Sequence, residues 1–310
     1  MSASARIDVH HHVLPPQFVA STPMPVSVPA PEEQLRTMDE LGIEVAITSL
    51  TPRVLYGDAE RRRGVARACN EFQARLVHDY PGRFGALALL PLPDVDAALD
   101  ELAYALDQLR LDGVGLFSST EGRYLGDRLY DPLLDELNRR GCVVFVHPAH
   151  CAAPEELNLG APAGIVEFVF DTTRAIVNLL YTGVLRRYPD VRWIFSHAGG
   201  AVPFLLGRIA GLEQSALVPD VVGSLRRLHY DVASAMGPHA LRSLQVLVGP
   251  DHIVWGSDLP FVHGARLQAE VDEWEAYDGF DAAGRAAVER LNAARLFPTV
   301  AARAGAAAVA

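Results

Sequence analysis

The chain has 310 residues, half of them apolar and 21% charged, with a formal net charge of −11. This composition is globular and rich enough for a large core, and its acidity, with no long basic run, argues against nucleic acid or anionic lipid as the main partner. All 27 basic residues are arginine, and the absence of lysine rules out a Schiff base, a pyridoxal phosphate anchor, a Walker A lysine and a carbamylated lysine bridging two metals.

In chain order, a short apolar run at 6–9 reads as the first strand. Residues 13–31 follow with six prolines and little periodicity, which predicts a rim segment or lid. A helical pattern at 31–41 stops at Gly42, and a second strand spans 43–50. A long helix is predicted over 58–80, ended by Pro81–Gly82, then a strand over 84–90 and a helix over 94–111. A strand at 113–117, a helix at 131–140 stopped by Gly141, and a strand at 142–146 come next. The irregular stretch 149–163 predicts a second rim loop, and 164–188 predicts a helix stopped by Pro189. Three further strands are predicted at 192–196, 228–232 and 253–256. The alanine-rich tail 300–310 suits either a helical extension or a frayed end.

Several of these strands, such as CVVFV and GVGLF, are apolar throughout, as expected of parallel strands buried on both faces. Eight strands alternating with helices predict an α/β fold, a TIM-type (β/α)8 barrel in a single domain over 1–310 with rim-loop insertions. An open doubly wound sheet is the alternative. The barrel is preferred because the chemical residues lie at the ends of strands one, five, six and eight, which only a closed barrel brings to one mouth. No apolar run reaches the roughly 20 residues of a membrane span, and the first residues lack an apolar signal core, so no membrane partner and a cytoplasmic location are expected. Cys69, Cys142 and Cys151 are too few and scattered for a disulfide framework.

The chemistry starts at Asp8-Val9-His10-His11-His12. On a strand, residues two apart share a face, so His10 and His12 point into the mouth together and His11 points away. Val146-His147-Pro148 ends strand five with a histidine, and Ser196-His197-Ala198-Gly199-Gly200 repeats the arrangement on strand six with glycines that permit a tight turn. Trp255-Gly256-Ser257-Asp258 puts a carboxylate at the end of strand eight. Histidine nitrogens with a carboxylate oxygen on the face where barrels hold their active sites suit Zn²⁺, Mn²⁺ or Fe²⁺. His150 and His263 follow site strands within reach of the mouth, while His78 reads as surface, His252 as barrel bottom, and His229 and His239 as packing or capping residues. Arg53, at the end of strand two, is a candidate carboxylate clamp. Phe170, Phe261 and Trp255 are candidate aromatic walls. No G-x-S-x-G elbow or G-x-G-x-x-G turn is present.

Taken in order, DVHHHVLPP, VFVHP, IFSHAGG and IVWGSDLPF resemble the amidohydrolase superfamily, and more narrowly its branch of aminocarboxymuconate semialdehyde, methylsalicylate and resorcylate decarboxylases. The resemblance implies that His10, His12, His147 and Asp258 hold one divalent metal ion per chain, Zn²⁺ first and Mn²⁺ second. It implies that His197 is the catalytic histidine, with Asp258 as a second proton-handling group. It also implies that Arg208 reaches a substrate carboxylate across a homodimer interface. Resorcylate-type members carry glutamate where this chain has His10, which sets it nearer the other two types. The expected reaction is non-oxidative decarboxylation of a small carboxylic acid, preferably an ortho-hydroxybenzoate. The alternative is a hydrolase, lactonase or hydratase that works through the metal-bound water.

Overall fold

The computed structural model describes residues 5–19, 29–51, 55, 57–149, 162, 164–211 and 218–307. Arg53, His150 and Cys151 lie outside the described residues, as does most of the second rim loop. All eight predicted strands form. They are β1 (Arg6–His12), β2 (Ile43–Ser49), β3 (Phe84–Leu89), β4 (Gly113–Phe117), β5 (Val143–His147), β6 (Arg192–Phe195), β7 (His229–Asp231) and β8 (Ile253–Val254). Each pairs in parallel with the next in chain order. The ring closes where β8 runs beside β1: Val9 N donates to the Trp255 carbonyl at 3.0 Å and Asp258 N to the His10 carbonyl at 2.8 Å. A parallel bridge joins His11 to Leu259. The product is the (β/α)8 barrel, and closure is what carries the ends of β1, β5, β6 and β8 to a common mouth.

Local chemistry accounts for the helices between the strands. Asp58 and Asp94 cap their helices by accepting from Arg61 N and Ala97 N. Gly141 ends the helix Asp131–Arg140 at φ 60°, in the left-handed region. Two predicted helices differ from expectation. The one expected over 94–111 is α-helical only over Val95–Ala103 and continues as a wider π turn over Tyr104–Gln108. The one expected over 164–188 is Glu167–Tyr181, broken at Gly183 (φ 72°) before the short turn Val184–Arg187.

The tail resolves in favour of helix: Pro298–Ala307 is α-helical. Val300 and Ala304, four residues apart and so on one face, are buried with Phe297 against Ile7, Val9, Val45, Ile47, Leu87, Phe145 and Ile194 inside the barrel. Thr299 and Arg303 both bond the buried Asp112 carboxylate, at 2.9 and 2.7 Å. The tail therefore plugs the end of the barrel opposite the mouth. No helix among the described residues is long and apolar enough to cross a membrane.

Candidate metal centre and reaction cavity

The strand alternation places His10 and His12 as expected. Both are buried at the mouth end of β1, with their Nε2 atoms 3.1 Å apart. His11 turns away and bonds Asp8 at 3.2 Å and Gln34 at 3.0 Å. His147, the last residue of β5, stands with its ring 4.9 Å from that of His12. Asp258 completes the group: its Oδ1 lies 3.4 Å from His10 Nε2 and 3.2 Å from His12 Nε2. One ligand atom from each of His10, His12, His147 and Asp258 falls within 4.8 Å of the others.

The outer nitrogens explain why the inner ones converge. His10 Nδ1 meets Asp231 Oδ2 at 2.7 Å, His12 Nδ1 meets Ser49 Oγ at 3.1 Å, and His147 Nδ1 meets the Pro148 carbonyl at 2.8 Å. Each partner fixes the ring's orientation and leaves its Nε2 facing the centre, which is how proteins hold histidine ligands to a metal. Three imidazole nitrogens and a carboxylate oxygen, buried with their acceptors facing one another, fit a divalent cation. Without a cation, the four groups perturb one another strongly. Burial lowers the pKa of His12 and takes that of His147 well below the usual histidine value, the neighbouring histidines adding to the effect. Burial acts the same way on His10, but Asp231 and Asp258 outweigh it and raise its pKa to about 10. Burial opposes ionisation of Asp258, yet His10 and the surrounding imidazole hydrogen bonds hold its carboxyl well below the usual carboxylate range. The site thus keeps an anion ready and concentrates its demand for positive charge on one spot.

His197 approaches from β6. Its Nε2 is 3.8 Å from Asp258 Oδ2, the oxygen opposite the one that faces His10 and His12. Its Nδ1 is buried with no hydrogen-bond partner among the described residues. The backbone that carries it is strained: His197 and Ala198 both have φ 55°, and Gly199 and Gly200 follow at 72° and 67°. Left-handed conformations in non-glycine residues cost about 1–3 kcal/mol each. Asp231 holds the turn by accepting from His197 N at 2.8 Å with the oxygen that does not bond His10. The glycines are dictated by space as well. A Cβ on Gly199 would lie 2.6 Å from the Tyr230 ring, and one on Gly200 would lie 2.2 Å from the Val169 carbonyl.

A cavity of about 670 Å³ opens over this floor, lined by His147, His197 and Asp258 below and by Phe168 and Phe261 on its sides. The Phe261 ring packs 5.1 Å from His12. The other sequence candidates fall elsewhere. Phe170 does not line the cavity; it is 43% exposed on the outer side of Glu167–Tyr181, and Phe168 takes the wall position instead. Trp255 is fully buried core. Arg208 is exposed on the helix Val202–Ala210 and is not part of this chain's own cavity lining. His263 bonds the Pro260 carbonyl at 2.9 Å. His229 packs against His252 at 4.8 Å, where burial lowers its pKa to about 4. His239, read from sequence as packing or capping, instead lines the cavity. Asp231 went unrecognised in the sequence, although it orients both His10 and His197; the strand it ends, His229-Tyr230-Asp231, gives no local sign of that role.

A family model described as amidohydrolase matches residues 7–299. Decarboxylase macB of Penicillium terrestre is 35% identical, the match covering 94% of this chain and 95% of that protein. The 6-methylsalicylic acid decarboxylase of Penicillium expansum is 31% identical, over 88% of this chain and 90% of its own. Among solved structures, a dihydroxybenzoic acid decarboxylase from Polaromonas sp. JS666, with bound manganese and the inhibitor 2-nitroresorcinol, superposes with a TM-score of 0.80. At 22% identity, over 95% of this chain and 97% of that one, it speaks to the fold.

Proposed function

The chain belongs to the amidohydrolase family, and from that premise we propose that it is a metal-dependent decarboxylase of ortho-hydroxybenzoate-type acids. The observation that carries the reading is the buried convergence of His10, His12, His147 and Asp258, with His197 beside Asp258 at the base of a cavity walled by two phenylalanines. The names of its 6-methylsalicylate and dihydroxybenzoate relatives support the substrate class. His10, His12, His147 and Asp258 would hold a divalent cation, which would supply Lewis acidity to the acid that loses CO2. Zinc and manganese both suit this donor set, and the manganese in the Polaromonas structure makes that ion the one to load first.

Loss of CO2 leaves an electron pair on the ring carbon, and a proton must replace the carboxyl there. We assign the delivery of that proton to His197, whose imidazole faces the cavity. Asp258 divides its contacts: Oδ1 faces the ligand histidines, while Oδ2 faces His197. Phe168 and Phe261 hold the ring flat and exclude water from the reacting carbon. Arg208 and the 86%-exposed Phe204 share one short helix. We propose that this helix packs on a second copy in a cytoplasmic homodimer, so that Arg208 serves the partner's substrate.

The test is CO2 release from manganese- or zinc-loaded protein across a panel of ortho-hydroxybenzoates, with Asp258→Ala as control. Release that disappears in the variant supports the reading. No release from any acid, with about one metal bound per chain and hydrolysis of lactones instead, replaces it with the hydrolase.

A further inference from the structure

The reaction described above uses the floor of the cavity and its aromatic sides, but the lining has another chemistry. Arg266, Ser234, His239 and Ser243 border the same space, and none of them has a role in carboxyl loss. Arg266 lies in the first turn of the helix Gly264–Ala276, and its side chain is 58% exposed at the mouth. Its Nη2 donates to Ser234 Oγ at 3.3 Å and its Nε to Glu270 Oε1 at 3.4 Å. Two bonds from different nitrogens fix the plane of the guanidinium, while Nη1 has no hydrogen-bond partner among the described residues. Glu270 stands behind it, its Oε2 buried and without a hydrogen-bond partner among the described residues. Arg266 is the one permanently charged cation on the described lining. A guanidinium restrained at two nitrogens on the lining of a cavity, with a donor to spare, suits the fork geometry of a carboxylate.

We propose that this corner is a second recognition subsite, in which Arg266, held by Ser234 and Glu270, binds a carboxylate of the substrate other than the one lost as CO2. The inference rests on the reaction class proposed above and narrows it to aromatic dicarboxylates. A ring with only a methyl at that position gains nothing from Arg266, whereas a carboxylate gains charge-assisted hydrogen bonds. Ser234, Ser243 and His239 add neutral partners around the same group.

Calorimetric titration of metal-loaded protein tests this without turnover, using benzoate, isophthalate and terephthalate, the two diacids sampling two distances from the metal. One diacid is expected to bind about tenfold or more tightly than benzoate. Arg266→Gln should abolish that gain and leave benzoate affinity unchanged, and Arg266→Lys should keep part of it, since lysine retains the charge but loses the fork. Equal binding of all three acids, or a preference that survives Arg266→Gln, overturns the subsite and leaves the decarboxylase reading standing. Failure of all three to bind a protein that holds about one metal per chain also overturns the subsite, while the decarboxylase reading falls only if no ortho-hydroxybenzoate releases CO2.

Discussion

At the closed end of the barrel, polar groups answer one another. Arg6 bonds Glu289, Glu275 and the Leu41 carbonyl, and Glu289 also accepts from Trp274 Nε1 at 2.9 Å. Asp112 accepts from Ala86 N, Thr299 and Arg303. At the open end, each of His10, His12 and His147 has a partner outside the group on its outer nitrogen, while the inner nitrogens of His10 and His12 meet only each other and Asp258. Left-handed backbone is concentrated at the mouth, in His197, Ala198, Ser234 and Asp258 at φ between 52° and 61°, although Arg110, just before β4 at the closed end, also has φ 59°. A polar group whose partners are complete contributes to stability. One whose inner side stays open is costly in a buried place unless a ligand completes it. The open end therefore carries the chemistry and the closed end carries the fold.

The sharpest break of that contrast is Asp258→Ala. It removes a proposed ligand and the carboxylate beside His197 together, so activity should fall by about 10³-fold or more, the several kcal/mol that a Lewis acid contributes. Metal per chain, measured by elemental analysis, should fall with it while the melting temperature of the metal-free protein changes little. Activity retained with metal lost would break the link between the two. At the other end, Phe297→Ala empties space under the sealed barrel floor and should cost about 3–5 kcal/mol in denaturant unfolding. Turnover per folded molecule should be unchanged; a parallel fall in turnover would show that the two ends are coupled.

Smaller changes sharpen the comparison. Asp231→Asn keeps the shape but weakens the orientation of His10, so metal affinity should drop about 10–100-fold in a chelator competition, with the fold intact by circular dichroism. No change in affinity would mean that Asp231 serves only the strained turn at His197. Arg303→Gln removes one of three partners from Asp112 and should lower stability by about 1 kcal/mol, with no effect on metal content. A loss of metal in that variant would show that the tail is coupled to the open end.

The eight strands were legible because parallel strands buried on two faces must be apolar along their whole length, and CVVFV and GVGLF are. His10 and His12 were legible because a strand's period of two is rigid: once 6–9 is a strand, their shared face follows. Helix faces are less forgiving. Phe168 and Phe170 are two residues apart and so about 200° apart around a helix, and the rotation of Glu167–Tyr181 is set by packing, which put Phe168 on the cavity and Phe170 outside. The lone aspartate in His229–Asp231 carries no local mark of its role.

The sequence by itself determined the strand and helix alternation, the excluded lysine chemistries and the histidine-bearing strand ends, because periodicity, residue type and turn residues act over a few neighbours. Tertiary structure alone decided that Asp231 sits between His10 and His197, that the alanine-rich tail seals the barrel floor, and that Arg266 and His239 share a cavity with His147 and Asp258. These residues lie far apart along the chain, and what joins them is the closure of β8 onto β1 and the rotation of each helix as it packs. Neither has a local signature to read.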